Sequence, residues 1–190
     1  MAQLGFYINT EYCTQCKACV VACKDKNDLE VDVNYRRVYE FSEGDYVTRG
    51  ETIIPNVQTF FVSMACNHCE EPTCIKACPT KAMHKRKEDG VVVVDDKKCI
   101  GCKYCMWNCP YGAPQYNKDQ GKMTKCDTCI DLREQGEQPA CVGSCPMRAL
   151  DFGPIDELKE KYGNISDIKS LPDSSITKPN IIFGIHKNAK

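Results

Sequence analysis

Sixteen cysteines in 190 residues pose the first question, because thiols at short fixed spacings do metal and redox chemistry. They fall into four groups of four with none left over. Cys13, Cys16, Cys19 and Cys23 stand in CTQCKACVVAC, and Cys66, Cys69, Cys74 and Cys78 in CNHCEEPTCIKACP. Cys99, Cys102, Cys105 and Cys109 stand in CIGCKYCMWNCP, and Cys126, Cys129, Cys141 and Cys145 in CDTCIDLREQGEQPACVGSCP. Every group opens C-x2-C and closes C-x3-C. Groups one and three have nothing added between, group two carries two extra residues before its third cysteine, and group four carries nine.

The uninterrupted spacing C-x2-C-x2-C-x3-C is that of bacterial ferredoxins. A loop with cysteines three residues apart can curl its thiolates around three iron corners of a cubane. The fourth cysteine then lies past the loop, on a short helix, and serves a different cluster. Proline after it fixes φ and supplies no N–H, which suits a sharp turn; Pro79, Pro110 and Pro146 fill that place, and Lys24 replaces proline in group one. Eight disulfides are disfavoured, since neighbours three residues apart in tight turns bridge poorly. A zinc-structured interaction module is the better competitor for groups two and four, yet zinc explains neither the third cysteine nor the cysteine-proline close. The spacing therefore predicts four 4Fe-4S clusters. Their thiolate-bound charge would carry the formal net charge of −1 to about −9, offset locally by Lys17, Lys98 and Lys103.

The rest of the composition narrows the function by exclusion. A balanced charge without long single-sign blocks argues against nucleic acid as partner. No window approaches the ~20 apolar residues of a membrane helix; the longest runs are VVVV at 91–94 and IIFGI at 181–185. The start, MAQLGFYINTEYC, shows no leader pattern, so the mature protein is expected to start near Met1. No general base, nucleophile or nucleotide loop stands out, and His68, His84 and His186 are not needed as ligands beside sixteen cysteines. A non-catalytic electron carrier is the expectation.

The elements that position the cysteines follow from the stretches between them. Two group pairings are open: sequential, or nested with groups two and three inside one and four. AMHKRKEDGVVVVDDKKC reads as a hairpin turning at Glu88, Asp89 and Gly90, which makes residues 57–114 one contiguous inner module and favours nesting. Residues 1–56 and 115–150 then form the outer module. The 42 residues between Cys23 and Cys66 are too many for a plain loop. RRVYEF at 36–41 and VQTFFVSMA at 57–65 predict strands about the turn-prone SEGD, with Tyr35, Tyr39, Phe41, Phe60 and Phe61 as core. GPIDELKEKYG predicts a short helix stopping at Gly163, and the tail to residue 190 is expected to dock on the protein or a partner. The fold class is α+β: two ferredoxin-like modules, a β-rich insertion, and an extended C-terminal segment over 151–190.

From YCTQCKACVVACKDKNDL through CNHCEEPTC, CIGCKYCMWNCPYGAPQYN and GKMTKCDTC to CPMRALDFGPIDEL and TKPNI, the whole chain resembles the iron-sulfur electron-transfer subunits of the complex iron-sulfur molybdoenzyme family, dimethyl sulfoxide reductase and its relatives. That resemblance implies a relay from a quinol-oxidising integral membrane anchor subunit to a molybdopterin catalytic subunit. It also implies a peripheral, membrane-associated complex on the periplasmic side by co-export with a partner, with the cytoplasmic face as alternative. The equivalent subunit of a thiosulfate or polysulfide reductase or a formate dehydrogenase, and a soluble polyferredoxin, are the alternative functions. The resemblance implies four ligand sets: Cys13, Cys16, Cys19 with Cys145; Cys126, Cys129, Cys141 with Cys23; Cys66, Cys69, Cys74 with Cys109; and Cys99, Cys102, Cys105 with Cys78. It implies further that the group-three cluster faces the anchor and the group-one cluster faces molybdenum. In nitrate-reductase-type relatives a tryptophan replaces the second cysteine of group three and leaves a 3Fe-4S centre. Here that place is Cys102, and Trp107 is expected to pack over a cluster, with a direct role at the partner surface as the alternative. Replacing Cys102 with Trp or Ser is expected to convert one centre to a 3Fe-type EPR signal; an unchanged spectrum would contradict the assignment.

Overall fold

The computed structural model describes residues 2–189; Met1 and Lys190, at the ends of the expected outer module and tail, lie outside the described residues. In chain order the first elements are β1 (Leu4–Asn9), α1 (Ala18–Lys26), β2 (Arg37–Arg49), β3 (Thr52–Met64), α2 (Thr73–Lys76), β4 (Met83–Lys85) and β5 (Val92–Val94). Then come α3 (Tyr104–Trp107), β6 (Gln115–Asn117), β7 (Lys122–Thr124), α4 (Ile130–Glu134) and α5 (Ala140–Gly143). The chain closes with β8 (Leu150–Pro154), α6 (Ile155–Tyr162) and β9 (Ile181–Gly184). It is a mixed α/β protein of small sheets.

One three-stranded sheet, ordered β8-β1-β9, gathers both ends of the chain. β1 runs antiparallel to β8, with Phe6 opposite Phe152, and parallel to β9, with Ile8 opposite Phe183. The alternation in LGFYIN decides what each face meets. Phe6 and Ile8 face a core shared with Phe60, Val62, Phe152, Phe183 and the thiols of Cys19, Cys141 and Cys145. Tyr7 and Ile182 face the other way, against Ile155 and Leu158 of α6, with the Tyr7 ring stacked on Tyr162 at 3.6 Å. The sheet is thus a wall between α6 and the cysteines of groups one and four. Helix α6 starts after Pro154 and stops at Gly163, whose φ of 88° terminates it where the sequence predicts.

The inner hairpin forms as expected: β4 pairs β5 with Met83 opposite Val94, and Met83 and Val92 pack on Cys74, Cys105 and Met123. A further hairpin, β6 with β7, follows group three. The insertion differs from expectation. SEGD is no turn: β2 runs through it to Arg49 and reverses at Gly50 and Glu51. Gly44, opposite Val57, takes φ of 100° inside the strand, because any Cβ there would run into the Asn56 carbonyl oxygen. Phe60 is buried, and Tyr39 and Phe41 pack partly against the core, but the outer part of this arm is exposed. The boundary expected at residues 56/57 falls inside β3 and that at 150/151 inside β8, since strand pairing runs across both.

The C-terminal segment docks on this chain itself. Glu70 and Glu71 donate backbone N–H groups to the carbonyls of Lys178 (2.8 Å) and Thr177 (3.0 Å), Asn180 donates to Asn67, and β9 completes the sheet. Phe183 is 1 % exposed, so Phe183→Ala is expected to cost about 3–5 kcal/mol, read as a lower denaturant midpoint for the iron-loaded protein.

Candidate metal centres

The four cysteine loops share a backbone device. The residue before the second cysteine is left-handed in every group: Gln15 (φ 59°), His68 (43°), Gly101 (67°) and Thr128 (70°). Such a residue reverses the chain within one step, so that successive thiols face inward. Three residues beyond the last cysteine the chain turns left-handed again at Lys81 (55°), Gly112 (58°) and Arg148 (50°), in the groups that carry proline. Proline also limits the helix before it: α2, α3 and α5 have four residues each, whereas α1, with Lys24 in that place, runs nine. Lys24 has its own use. Its ammonium donates to the carbonyls of Glu30, Val31 (3.2 Å) and Val33 (3.1 Å) and pins the loop after α1.

The loops bring together thiols from different groups. Cys13, Cys16, Cys19 and Cys145 line one cavity. Cys78, Cys99, Cys102 and Cys105 line a second. Cys66, Cys69, Cys74 and Cys109 line a third, with Thr177 of the C-terminal segment. Cys23, Cys126, Cys129 and Cys141 gather where α1 meets α5: Cys141 and Cys129 act on the Cys23 thiol, and Cys23 and Cys141 act on Cys126. Among the described residues no three His, Cys, Asp or Glu side chains converge closely enough to hold a single metal ion. Four thiols spread around each cavity, without converging on one point, fit a polynuclear iron-sulfur group better than zinc.

Backbone N–H groups are aimed at sulfur. Met83, Ala113 and Ala149 donate at 3.4 Å to Cys78, Cys109 and Cys145, each just past the turn that follows the fourth cysteine. Met123 and Thr128 donate at 3.4 Å to Cys99 and Cys126. Burial nevertheless pushes most of the thiols up, Cys23 and Cys69 to about 12 and Cys105 to about 11, with neighbouring thiols adding to it. Cys78 is the exception: burial raises it, but the N–H groups of Met83, Thr80 and Ala82 and the Thr80 hydroxyl outweigh burial, and it settles below the usual thiol value.

Several residues near the sulfurs escape the cysteine pattern. Arg36 is fully buried beside Ser63, Arg37 donates through Nη2 to the carbonyls of Tyr111 (3.1 Å) and Gly112 (2.8 Å), and buried Lys125 donates to Val92 and Cys126 (2.6 Å). Adjacent arginines at the start of a strand, one of them bound to face inward, are the signal RRVYEF offered. His68 is buried and accepts from the Val92 N–H at 3.0 Å; burial first, then Lys125, Arg133 and Lys85, hold its pKa well below the usual histidine range. Lys85 and Arg86 of the basic hairpin are engaged within the chain, Lys85 on the Cys69 carbonyl and Arg86 on Asp89. Trp107 does not cover a cluster. Cys105 points inward from the one-turn helix α3, so the residue two places on points outward; Trp107 is 67 % exposed and lies beside the ring of exposed Tyr104.

Comparison with known proteins places these features in context. A family model for a 4Fe-4S dicluster domain matches residues 57–155, and one for a 4Fe-4S binding domain matches residues 10–32. Over 188 residues the sequence is 52% identical to a chain of the anaerobic dimethyl sulfoxide reductase of Escherichia coli (strain K12), covering 99% of this chain and 91% of that one. It is 48% identical over 191 residues to the chain of the same name from Haemophilus influenzae, covering 100% and 93%. It is also 42% identical over 173 residues to a sulfite dehydrogenase subunit of Allochromatium vinosum, covering 83% and 71%.

Gly101 offers a local test. A Cβ there would run into the Gly121 carbonyl, which is backbone and cannot swing aside, and φ is left-handed. Gly101→Ala is expected to lower the iron of the purified protein by about four atoms per chain, the content of one cubane, with the remaining EPR signals retained.

Proposed function

This protein belongs to the 4Fe-4S dicluster family that includes a chain of anaerobic dimethyl sulfoxide reductase, and we propose that it is the iron-sulfur electron-transfer subunit of such a reductase. In this reading it holds four 4Fe-4S clusters in two nested ferredoxin-like modules. Cys13, Cys16, Cys19 and Cys145 hold one, and Cys23, Cys126, Cys129 and Cys141 the second. Cys66, Cys69, Cys74 and Cys109 hold the third, and Cys78, Cys99, Cys102 and Cys105 the fourth. When bound, each cluster supplies a site that takes up and releases one electron. The carrying observation is that three cavities are each lined by three cysteines of one group and the last cysteine of another.

The chain's own residues do the rest. Sixteen sulfurs ligate, N–H groups from the turns stabilise charge on sulfur, and the apolar core keeps water from Cys19, Cys141 and Cys145. The chain performs no substrate chemistry. A molybdopterin catalytic subunit accepts its electrons and an integral membrane anchor supplies them from quinol, in a peripheral complex on the periplasmic side. No helix among the described residues is long and apolar enough to cross a membrane, so attachment runs through the anchor. The likeness to a sulfite dehydrogenase subunit favours, as second reading, the same relay in a molybdoenzyme of different substrate.

Anaerobic affinity purification of the tagged chain from its host, with mass spectrometry of partners and iron, molybdenum and tungsten analysis, tests both. A large molybdenum- or tungsten-bearing partner with a multi-span membrane subunit is the expected result, and turnover of dimethyl sulfoxide or sulfite by that complex separates the readings. An iron-rich chain eluting alone identifies a soluble polyferredoxin instead.

A further inference from the structure

Arg36 is an anomaly the relay does not by itself explain. It is 1 % exposed, and its guanidinium donates through Nη1 to the Ser63 carbonyl (2.9 Å) and the Ser63 hydroxyl (3.1 Å). Its face lies 4.7 Å from the centre of the Phe6 ring. Nε and Nη2 are buried and have no hydrogen-bond partner among the described residues. Instead of carboxylates, the acidic groups that act most on its charge are four thiols, Cys141, Cys19, Cys126 and Cys23. A buried cation is costly unless a counter-charge lies within reach, and here the counter-charge has to come from the cysteine sites.

Those thiols belong to two sites, Cys19 to the one with Cys13, Cys16 and Cys145, the others to the one with Cys129. Ser63 ties the cation to the first alone. A guanidinium has no acceptor, so the Ser63 oxygen accepts from Arg36 and its own hydrogen is free for the Cys19 sulfur at 3.3 Å. A Cys19 bound as a thiolate has no proton to give, so in the loaded protein the Ser63 hydroxyl donates to it.

We propose that Arg36 and Ser63 are positioning residues for the transferred electron: Arg36 favours the reduced state of both outer-module clusters together, and Ser63 adds a bias to the Cys19 cluster alone. The proposal rests on the ligand sets given under the proposed function. Reduction adds one negative charge to a buried site, so a fixed cation beside it raises the reduction potential. A cation facing both sites lifts both potentials, whereas a hydroxyl on one sulfur lifts only that one. Arg36 thus makes the outer pair easier to reduce than it would otherwise be, and Ser63 adds to the driving force for the step across it.

The test is an EPR-monitored redox titration of the purified complex carrying Arg36→Gln, Arg36→Lys or Ser63→Ala, with iron analysis of each. In Arg36→Gln two of the four potentials are expected to fall and two to stay. The fall is a tenfold or greater loss in the reduced-to-oxidised ratio at fixed ambient potential, about 59 mV for a one-electron couple. Arg36→Lys is expected to restore most of it, and Ser63→Ala to lower one potential only. Unchanged potentials, or four that shift alike, at full iron content overturn the proposal. If Arg36→Gln fails to load iron, Ser63→Ala decides, since no shift there refutes the relay to Cys19. A wild-type complex without four 4Fe centres refutes the ligand reading instead, and is recognised before any variant is compared.

Discussion

Gathering sixteen sulfurs, nine of them buried, in a protein of this size is an electrostatic problem before it is a packing problem. A thiolate taken out of water carries a cost that the surrounding groups have to offset. Three of the buried clusters include cysteines: Cys19, Cys141 and Cys145 in one, Cys74 and Cys105 in another, Cys66 and Cys126 in a third. The left-handed residues that curl the loops, the amides aimed at sulfur and the buried cations Arg36 and Lys125 all follow from this demand. Even the loop after α1 fits the scheme, since Lys24 answers three carbonyls in a region without regular pairing.

The division of labour between sheet and loops is correspondingly sharp. The sheet β8-β1-β9 contributes no sulfur, yet the thiols of groups one and four pack against its Phe6 and Ile8 face, and α6 covers its reverse. The inner cysteines rest instead on two short hairpins whose buried contributions come chiefly from Met83, Val92 and Met123. Arg37 links the two regions by binding the turn after Cys109, so the strand that follows group one also fixes a loop of group three.

What could be read from the sequence was whatever depends on local spacing. Cysteine intervals, the prolines after the fourth cysteines, the Glu88-Asp89-Gly90 hairpin and the Pro154-to-Gly163 helix are all short-range signals, and each corresponds to a local structure. The misreadings came where a local signal competed with pairing or direction. SEGD has turn composition, but thirteen cross-strand pairs from Arg37 to Arg49 hold it extended. Trp107 is the large aromatic among the cysteines, but one turn of helix with Cys105 inward leaves it facing solvent. Arg36 was invisible as a buried cation because its surroundings come from residues 6, 63, 126 and 141, far apart in the chain. The docking of the tail, likewise, is settled by β1, at the opposite end of the sequence.

That last pairing has a consequence for how the molecule is born. Strand β1 is synthesised well before its neighbours β8 and β9, and Cys13 well before Cys145. Two of the cysteine cavities share that delay: Cys13, Cys16 and Cys19 wait for Cys145, and the cavity of Cys66, Cys69, Cys74 and Cys109 waits for Thr177. The cavity of Cys78, Cys99, Cys102 and Cys105, whose lining ends at Met123, can form earlier, and a prematurely terminated chain leaves Cys13, Cys16 and Cys19 without the Cys145 that shares their cavity, a built-in mark by which unfinished copies differ from finished ones.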